Sequence, residues 1–512
     1  MEKGMQNFDP LDMNNYRIEK LPKLNKSGFE KWMAYMGGPL AVLVFAFLYW
    51  FSDISFLQNI DPATLTQNAL KRFNEIGADE FSRINYAMLA VFAGAIILWI
   101  TEAIPNYLTS LIVILSIVLT GITTDKTAYA QLGHPVMWLN ILSFVLASML
   151  VKTRVAKRFA LWFVIRFGKN STGILFSFIV INVVLSAFIS ATTAKAAILL
   201  PIFMVVAAIY GARGGDQRNN FGRNLVLQNL YQINLGANGF LTGSGATLLA
   251  GSLIAGAMGW NGFSYQDWFT AAFPMSIILI FIAWFVGSKI IFPLKPEEKV
   301  PQIEGGMERL REELHKLGKM NKEEYKAIAI FLGVLILWAT DKQHGINQTA
   351  VAFLGAVIAL MPKIGVVKWN DVDIPWHLLL FSAGAYTLGA GLDATGLPGT
   401  VVNVAFDDLG ITQETPFWML YMLLTFAMLF SALLFQSKTM QTLIFVPIAI
   451  GVAQKFGYPI LSLAFPVAML VGHVYVLPFN SKPAALLYTT NQYSWSDTFK
   501  FGIIMMFIAW IM

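Results

Sequence analysis

Ser190-Ala191-Thr192-Thr193-Ala194-Lys195, running on into Leu200-Pro201-Ile202, sets three hydroxyls and a cation inside a long apolar stretch. Gln436-Ser437-Lys438-Thr439-Met440-Gln441, running on into Val446-Pro447-Ile448, sets two hydroxyls and a cation in the same way 246 residues later. A charged side chain at membrane depth is expensive unless it snorkels or finds a partner. Two readings of the hydroxyls stand. Ser and Thr can bond back to helix carbonyls. Alternatively, two hairpin tips meet at the midplane, and their hydroxyls and free backbone N–H groups hold an anion. Lys438 favours the second.

Working outward, the chain repeats itself around these tips. Ile97-Leu98-Trp99 heads one segment and Ile336-Leu337-Trp338 another, and Trp138 and Trp376 open two later apolar runs. Four matches in one order at nearly constant offset point to an internal duplication. Each tip is followed by a second polar interruption: Leu241-Thr242-Gly243-Ser244-Gly245-Ala246-Thr247 in the first half, Leu477-Pro478-Phe479-Asn480-Ser481-Lys482-Pro483-Ala484 in the second. Gly and Pro expose backbone groups, which is tolerable at depth only beside a ligand, ion or cavity. One site built twice is the expectation, with Ser190, Thr192, Thr193, Ser437, Lys438, Thr439, Ser244, Thr247, Asn480 and Ser481 as its substrate-binding residues.

The 512 residues are 56% apolar and only 13% charged. A soluble globular domain carries about 25% charged residues. That gap excludes disorder, a nucleic-acid binder and an ordinary cytosolic enzyme. Apolar runs at about 84–102, 106–121, 135–151, 173–189, 194–210, 224–258, 271–293, 327–340, 346–361, 374–396, 415–435, 440–455, 459–478 and 499–512 predict an all-α polytopic membrane protein. Several are too short to span, which points to broken helices. The net charge of +6 fits basic cytoplasmic loops, and with no cysteine there are no disulfides and no thiol-ligated metal.

The polar leader carries Lys3, Arg17, Lys20, Lys23, Lys26 and Lys31, and the first apolar run begins only near Trp32, so no signal peptide is expected. The basic leader stays inside and the first helix runs outward. Residues 1–83 are then leader, first transmembrane helix and outer loop; 84–293 form the first repeat. The insert 294–326 alternates charge at helical spacing, as on a solvated cytoplasmic connector. Residues 327–512 form the second repeat. An odd number of crossings between equivalent elements would make the repeats inverted.

Trp99-Ile100-Thr101-Glu102-Ala103-Ile104-Pro105 resembles the opening signature of the divalent-anion/sodium symporter family, the dicarboxylate and citrate carriers. Segment 177–202 is similar to its first hairpin, 425–448 to its second and 477–488 to its C-terminal signature. The resemblance runs from about residue 84 to the end. It implies two inverted repeats, about 11 transmembrane helices plus two re-entrant hairpins, an elevator-type mechanism, a homodimer and a multi-pass place in a plasma membrane such as a bacterial inner membrane. It also implies Ser-Asn-Thr tips that bind substrate carboxylate and sodium.

The chain departs from that pattern consistently. The family's asparagine positions fall on Thr192, Lys438, Thr247 and Ala484, while Lys195, Lys438 and Lys482 stand close by in sequence. Asn offers an oxygen to a hard cation; Lys offers only donors and a fixed charge. The three lysines are therefore expected to substitute for sodium's charge. A built-in cation cannot leave with each cycle, and an empty carrier with unpaired buried charge crosses reluctantly. The expectation is sodium-independent exchange of small dicarboxylates such as succinate, malate or 2-oxoglutarate. The alternative is a sodium- or proton-coupled symporter of dicarboxylate, citrate or sulfate. A membrane-embedded enzyme would need a cluster of His, Asp and Glu at catalytic spacing, and a channel a repeated filter-like loop; neither is in the sequence.

The five histidines, His134, His315, His344, His377 and His473, form no i,i+4 pair with a Glu, so neither metal nor cofactor is expected. His473 stands out only because it precedes the second break. The cations Lys152, Arg154, Lys157, Arg158, Arg166 and Lys169 suggest a headgroup-facing cytoplasmic surface. The partners expected are dicarboxylate anions, the lipid bilayer and a second copy of the chain, with no nucleic acid.

Overall fold

The structure, a computed structural model, describes residues 9–16, 28–62, 65–259, 263–408, 411, 414–435 and 437–512. The leader cations Lys3, Arg17, Lys20, Lys23 and Lys26 and the tip residue Gln436 lie outside them. Among the described residues every regular element is helical. The main helices are α1 (Gly28–Ala46), α2 (Ala78–Thr101), α3 (Asn106–Leu119), α4 (Pro135–Lys152), α5 (Val155–Phe167), α6 (Ser171–Phe188), α7 (Thr192–Ile209), α8 (Asn220–Asn238), α9 (Gly245–Ala257) and α10 (Tyr265–Phe285). After them come α11 (Gly306–Lys316), α12 (Lys322–Ala339), α13 (Gln348–Leu360), α14 (Trp376–Thr395), α15 (Leu397–Asp408), α16 (Phe417–Phe430), α17 (Lys438–Lys455), α18 (Ile460–Met469), α19 (Lys482–Tyr488) and α20 (Trp495–Ile511).

Five stretches among the described residues are long and apolar enough to cross a bilayer: Lys31–Phe51, Ala78–Thr101, Asp125–Lys152, Thr192–Ile209 and Tyr265–Ile291. A straight span needs about 20 residues. The shorter apolar helices, such as Asn106–Leu119, Gln348–Leu360 and Ile460–Gly472, fall below that length.

The motif around Trp99 makes a sharp corner. Glu102 ends α2 in the left-handed region at φ 47°, and Pro105 sets up the first turn of α3. Trp99 is buried, and its indole N–H donates across the corner to the Asn106 carbonyl at 3.4 Å. Trp338, at the end of α12, is equally buried and donates to the Gln348 carbonyl, the first residue of α13, at 2.9 Å. The two sequence-matched tryptophans thus make matching contacts at matching corners.

Some boundaries differ from the sequence reading. The apolar run 224–258 is two helices. α8 ends at Asn238, a 3-10 turn spans Leu241–Gly243, and Ser244 starts α9 with a capping box to Thr247. The run 459–478 stops as a helix at Met469, and 473–481 carries no helix. The charged insert is shorter than 294–326: Asn321 caps α12 in a capping box with Glu324, so 322–326 are its first residues. Glu324 is almost fully buried because Arg158 of α5 grips it at 2.8 Å. The Arg158 guanidinium also donates to the Gly318 and Leu317 carbonyls, at 2.8 and 3.0 Å, and Lys157 pairs with Glu313 at 3.2 Å. Part of the basic cluster is therefore bound to the insert rather than free for headgroups.

Two apolar cores result. One unites α2, α3, α4, α9, α12, α13, α14, α17 and α18. The other unites α5, α6, α7, α8, part of α10, the segment 474–477 and α20. Both interiors are apolar, so the polar groups buried inside them are informative.

Candidate binding site

The two helices that start at the tips, α7 and α17, are built alike. α6 and α7 are joined by only Ile189, Ser190 and Ala191, with Ile189 and Ala191 in extended conformation. α7 and α17 each have 18 residues, with Pro201 and Pro447 at the same depth inside them. Both start without a side-chain cap: Ala191 has no polar side chain, and the Ser437 hydroxyl makes no capping bond. The first N–H groups of each helix are thus left to other acceptors.

The tip side chains differ in what they have found. Ser190 is buried and its hydroxyl has no hydrogen-bond partner. Thr192 is buried, whereas Thr193, Ser437 and Thr439 are half-buried. Lys195 is fully buried and satisfied in part: its ammonium donates to Ser186 Oγ at 2.9 Å and to the Ile233 carbonyl at 3.3 Å. Lys438 exposes some of its stem, but its Nζ is enclosed and makes no hydrogen bond. The charge of Lys438 acts on Lys195. Among the described residues no carboxylate acts on either ammonium.

Of the downstream interruptions, the first is closed on itself and the second is bonded to the chain entering its tip. Ser244 and Thr247 are engaged with one another: Thr247 Oγ1 accepts from the Ser244 N–H at 3.0 Å and lies 2.9 Å from the Leu241 carbonyl. Asn480 is completely buried; its Oδ1 accepts from the Leu477 N–H at 2.6 Å and its Nδ2 donates to the Ala432 carbonyl at 2.5 Å. It thereby ties the second break to the chain leading into the second tip. Ser481 caps α19, accepting from the Ala484 N–H at 3.3 Å, and donates to the Val474 carbonyl at 3.1 Å. Lys482 is exposed, away from the two enclosed lysines in character, and its charge acts on His377 at the start of α14. The halves also interlock. α7 of the first tip packs on α19 of the second half, and α17 of the second tip packs on α9 of the first half.

Sequence reasoning counted 224–258 as an apolar run and gave no role to the amides of α8. That helix is buried along its length and carries Asn224, Gln228, Asn229, Gln232, Asn234 and Asn238, every one buried. Asn182 of α6 donates to Asn229 Oδ1 at 2.8 Å and to Gln232 Oε1 at 3.0 Å, about one turn from the Ser186 that holds Lys195. The i,i+4 spacing of 224, 228 and 232 was the available signal. His473 is buried in the core, with Nδ1 3.0 Å from the Leu470 carbonyl. The arrangement offers hydroxyls, uncapped N–H groups and enclosed cations, and no nucleophile or acid–base pair among the described residues.

Comparison with known proteins agrees with that chemistry. The sodium:sulfate symporter transmembrane region family matches residues 78–512. A protein of Cupriavidus necator described as a membrane protein is 26% identical over 451 residues, covering 83% of this chain and 85% of that one. The sodium-dependent dicarboxylate transporter SdcS of Staphylococcus saprophyticus is 25% identical over 437 residues, covering 81% and 82%. The chloroplastic dicarboxylate transporter 1 of Spinacia oleracea is 26% identical over 362 residues, covering 69% and 62%. With the match spanning α2 to the last helix, the chain belongs to the sodium:sulfate symporter family: it is an all-α, multi-pass membrane transporter and not an enzyme.

Proposed function

We propose that this transporter exchanges small dicarboxylates by alternating access and does so without sodium. The observation that carries the reading is the enclosed, unpartnered ammonium of Lys438 in the second tip, with Lys195 buried behind the first. An uncompensated charge inside a protein costs several kcal/mol. A dianion between the tips would supply the missing counter-charge, with the Ser190 hydroxyl and the uncapped starts of α7 and α17 as further donors. Lys195, already bonded to Ser186 and the Ile233 carbonyl, acts as the built-in cation rather than as a direct ligand. Lys482 contributes only longer-range charge, and Asn480 and Ser481 hold the frame. The dicarboxylate is supported by the names of the staphylococcal and spinach relatives.

The wider architecture in this proposal is two inverted repeats, 84–293 and 327–512, each with one re-entrant hairpin, moving as an elevator within a homodimer. It is supported by the paired tips, the matching tryptophan corners and the crossed packing of α7 and α17. The charged connector lies on the cytoplasmic side. A second reading, sodium-coupled uptake, is favoured by the sodium dependence in the name of the staphylococcal relative.

Counterflow in liposomes separates the two. Vesicles loaded with unlabelled succinate should take up labelled succinate in choline buffer, and empty vesicles should take up little even with a sodium gradient. Strong sodium stimulation, with empty vesicles filling as well as loaded ones, would overturn the exchange reading. Indifference to every dicarboxylate would overturn the substrate class.

A further inference from the structure

A cavity of about 810 Å³ opens between α5, α6, α11 and α12, apart from the tips. Its walls are apolar: Phe159 and Trp162 of α5, Val184 and Leu185 of α6, and Ile328 and Leu332 of α12. The ionisable side chains lining it are Arg158, His315 and Lys319, and no carboxylate lines it. Arg158 is committed to Glu324 and to the Leu317 and Gly318 carbonyls. His315 and Lys319 are exposed and have no polar side-chain partner among the described residues. The nearby Glu313 is taken by Lys157 and Lys316. The mouth is therefore cationic, and the slot behind it is greasy.

We propose that this cavity is a binding site for one anionic phospholipid. The acyl chain lies against Phe159, Trp162, Val184 and Leu332, and the phosphate meets Lys319 and His315. Charge complementarity selects the occupant: a zwitterionic lipid would fill the slot equally well but would bring its own cation to a cationic mouth. Basic pockets at the ends of membrane helices select anionic headgroups in this way. Trp162 and Leu332, each about half exposed on the molecule's surface, give the chain a lateral way in from the bilayer. The site joins α5 and the connector helix α11 to α6, the first helix of the first tip pair. A lipid seated there fills the space between the connector and the tip pair, and so biases how freely the pair shifts.

Quenching of tryptophan fluorescence by dibrominated lipids tests this in detergent with the full chain. Brominated phosphatidylglycerol should quench saturably at lower concentration than brominated phosphatidylcholine, and Trp162→Phe should remove that saturable component. One ammonium near a headgroup is worth about 1 kcal/mol, or about fivefold in affinity. Lys319→Ala with His315→Ala should therefore lower the preference for phosphatidylglycerol about fivefold or more, with the melting temperature unchanged because both side chains are exposed. Glycerol phosphate in large excess should not compete. Equal affinity for both lipids, a preference that survives the double substitution, or a saturable component that survives in Trp162→Phe would each overturn the proposal. Full competition by glycerol phosphate would overturn it too, as a site for a free phosphate.

Discussion

Replacing Lys438 by Met should push substrate binding and the stability of the empty protein in opposite directions. The ammonium of Lys438 is enclosed and makes no hydrogen bond, and its charge acts on Lys195. Met keeps most of the stem and removes the charge. In the empty carrier that relieves an uncompensated buried cation, and exchanging buried ionic groups for apolar ones of like volume is neutral or stabilising by about 1–4 kcal/mol. The melting temperature without substrate should then rise by about 1–3 °C. With substrate the balance reverses. A hydrogen bond to a charged group is worth about 1.5–3 kcal/mol, so losing one ammonium–carboxylate contact worth about 2 kcal/mol weakens succinate binding about 30-fold. Scanning fluorimetry of wild type and Lys438→Met, with and without succinate, reads both terms in one titration. A variant that melts lower than wild type when empty and still gains the full shift from succinate would refute the reasoning. Lys438 would then be a structural side chain with no anion to meet.

Other consequences can be checked with the same purified protein. Asn480→Ala should lower the melting temperature and transport together, because the buried Leu477 N–H loses its acceptor and an unsatisfied buried donor costs about 1–3 kcal/mol. Arg158→Met should destabilise by about 3–5 kcal/mol, since Glu324 is left buried without its cation; adding Glu324→Gln should recover much of that, which a double-mutant cycle by thermal melting measures. Burial pushes the Glu313 carboxyl up, but its bonds to Lys316 and Lys157 prevail and hold it below the usual carboxylate range. A depressed acid adds stability above its ordinary pKa and loses it as pH falls through the folded value. Wild-type melting should therefore fall more steeply below about pH 4 than that of Glu313→Gln.

Much of this architecture was legible because the bilayer makes polarity loud. Hydroxyls and a lysine inside apolar runs marked both tips, and the helices do restart there, at Thr192 and Lys438. The tryptophan repeat was legible because each indole N–H needs an acceptor and finds it at the same corner. What escaped were the amides of α8. Asn224, Gln228 and Gln232 lie inside the run 224–258 counted as apolar, and one sequence does not say whether an amide faces water or another amide. Only the third dimension shows Asn182 reaching Asn229 and Gln232. Ser244 and Thr247 illustrate the converse: their spacing fits a ligand site, and it is also the spacing of a capping box, which is the bond they make here. Glu324, near the end of the charged insert, is a similar case, since it looks like one more surface acid until Arg158 buries it.

The crossed packing of the two tip helices also bears on how the chain is made. α7 rests on α19, residues 482–488, so the first tip leaves the ribosome long before its support exists. Through the synthesis of nearly three hundred further residues, Lys195 must wait in a half-finished wall. A chain cut short anywhere before α19 would expose that wall to lipid, with a buried cation inside it and no seat for the helix that carries it. A segment made late therefore closes the first half, and a chain released before α19 lacks the seat on which α7 rests.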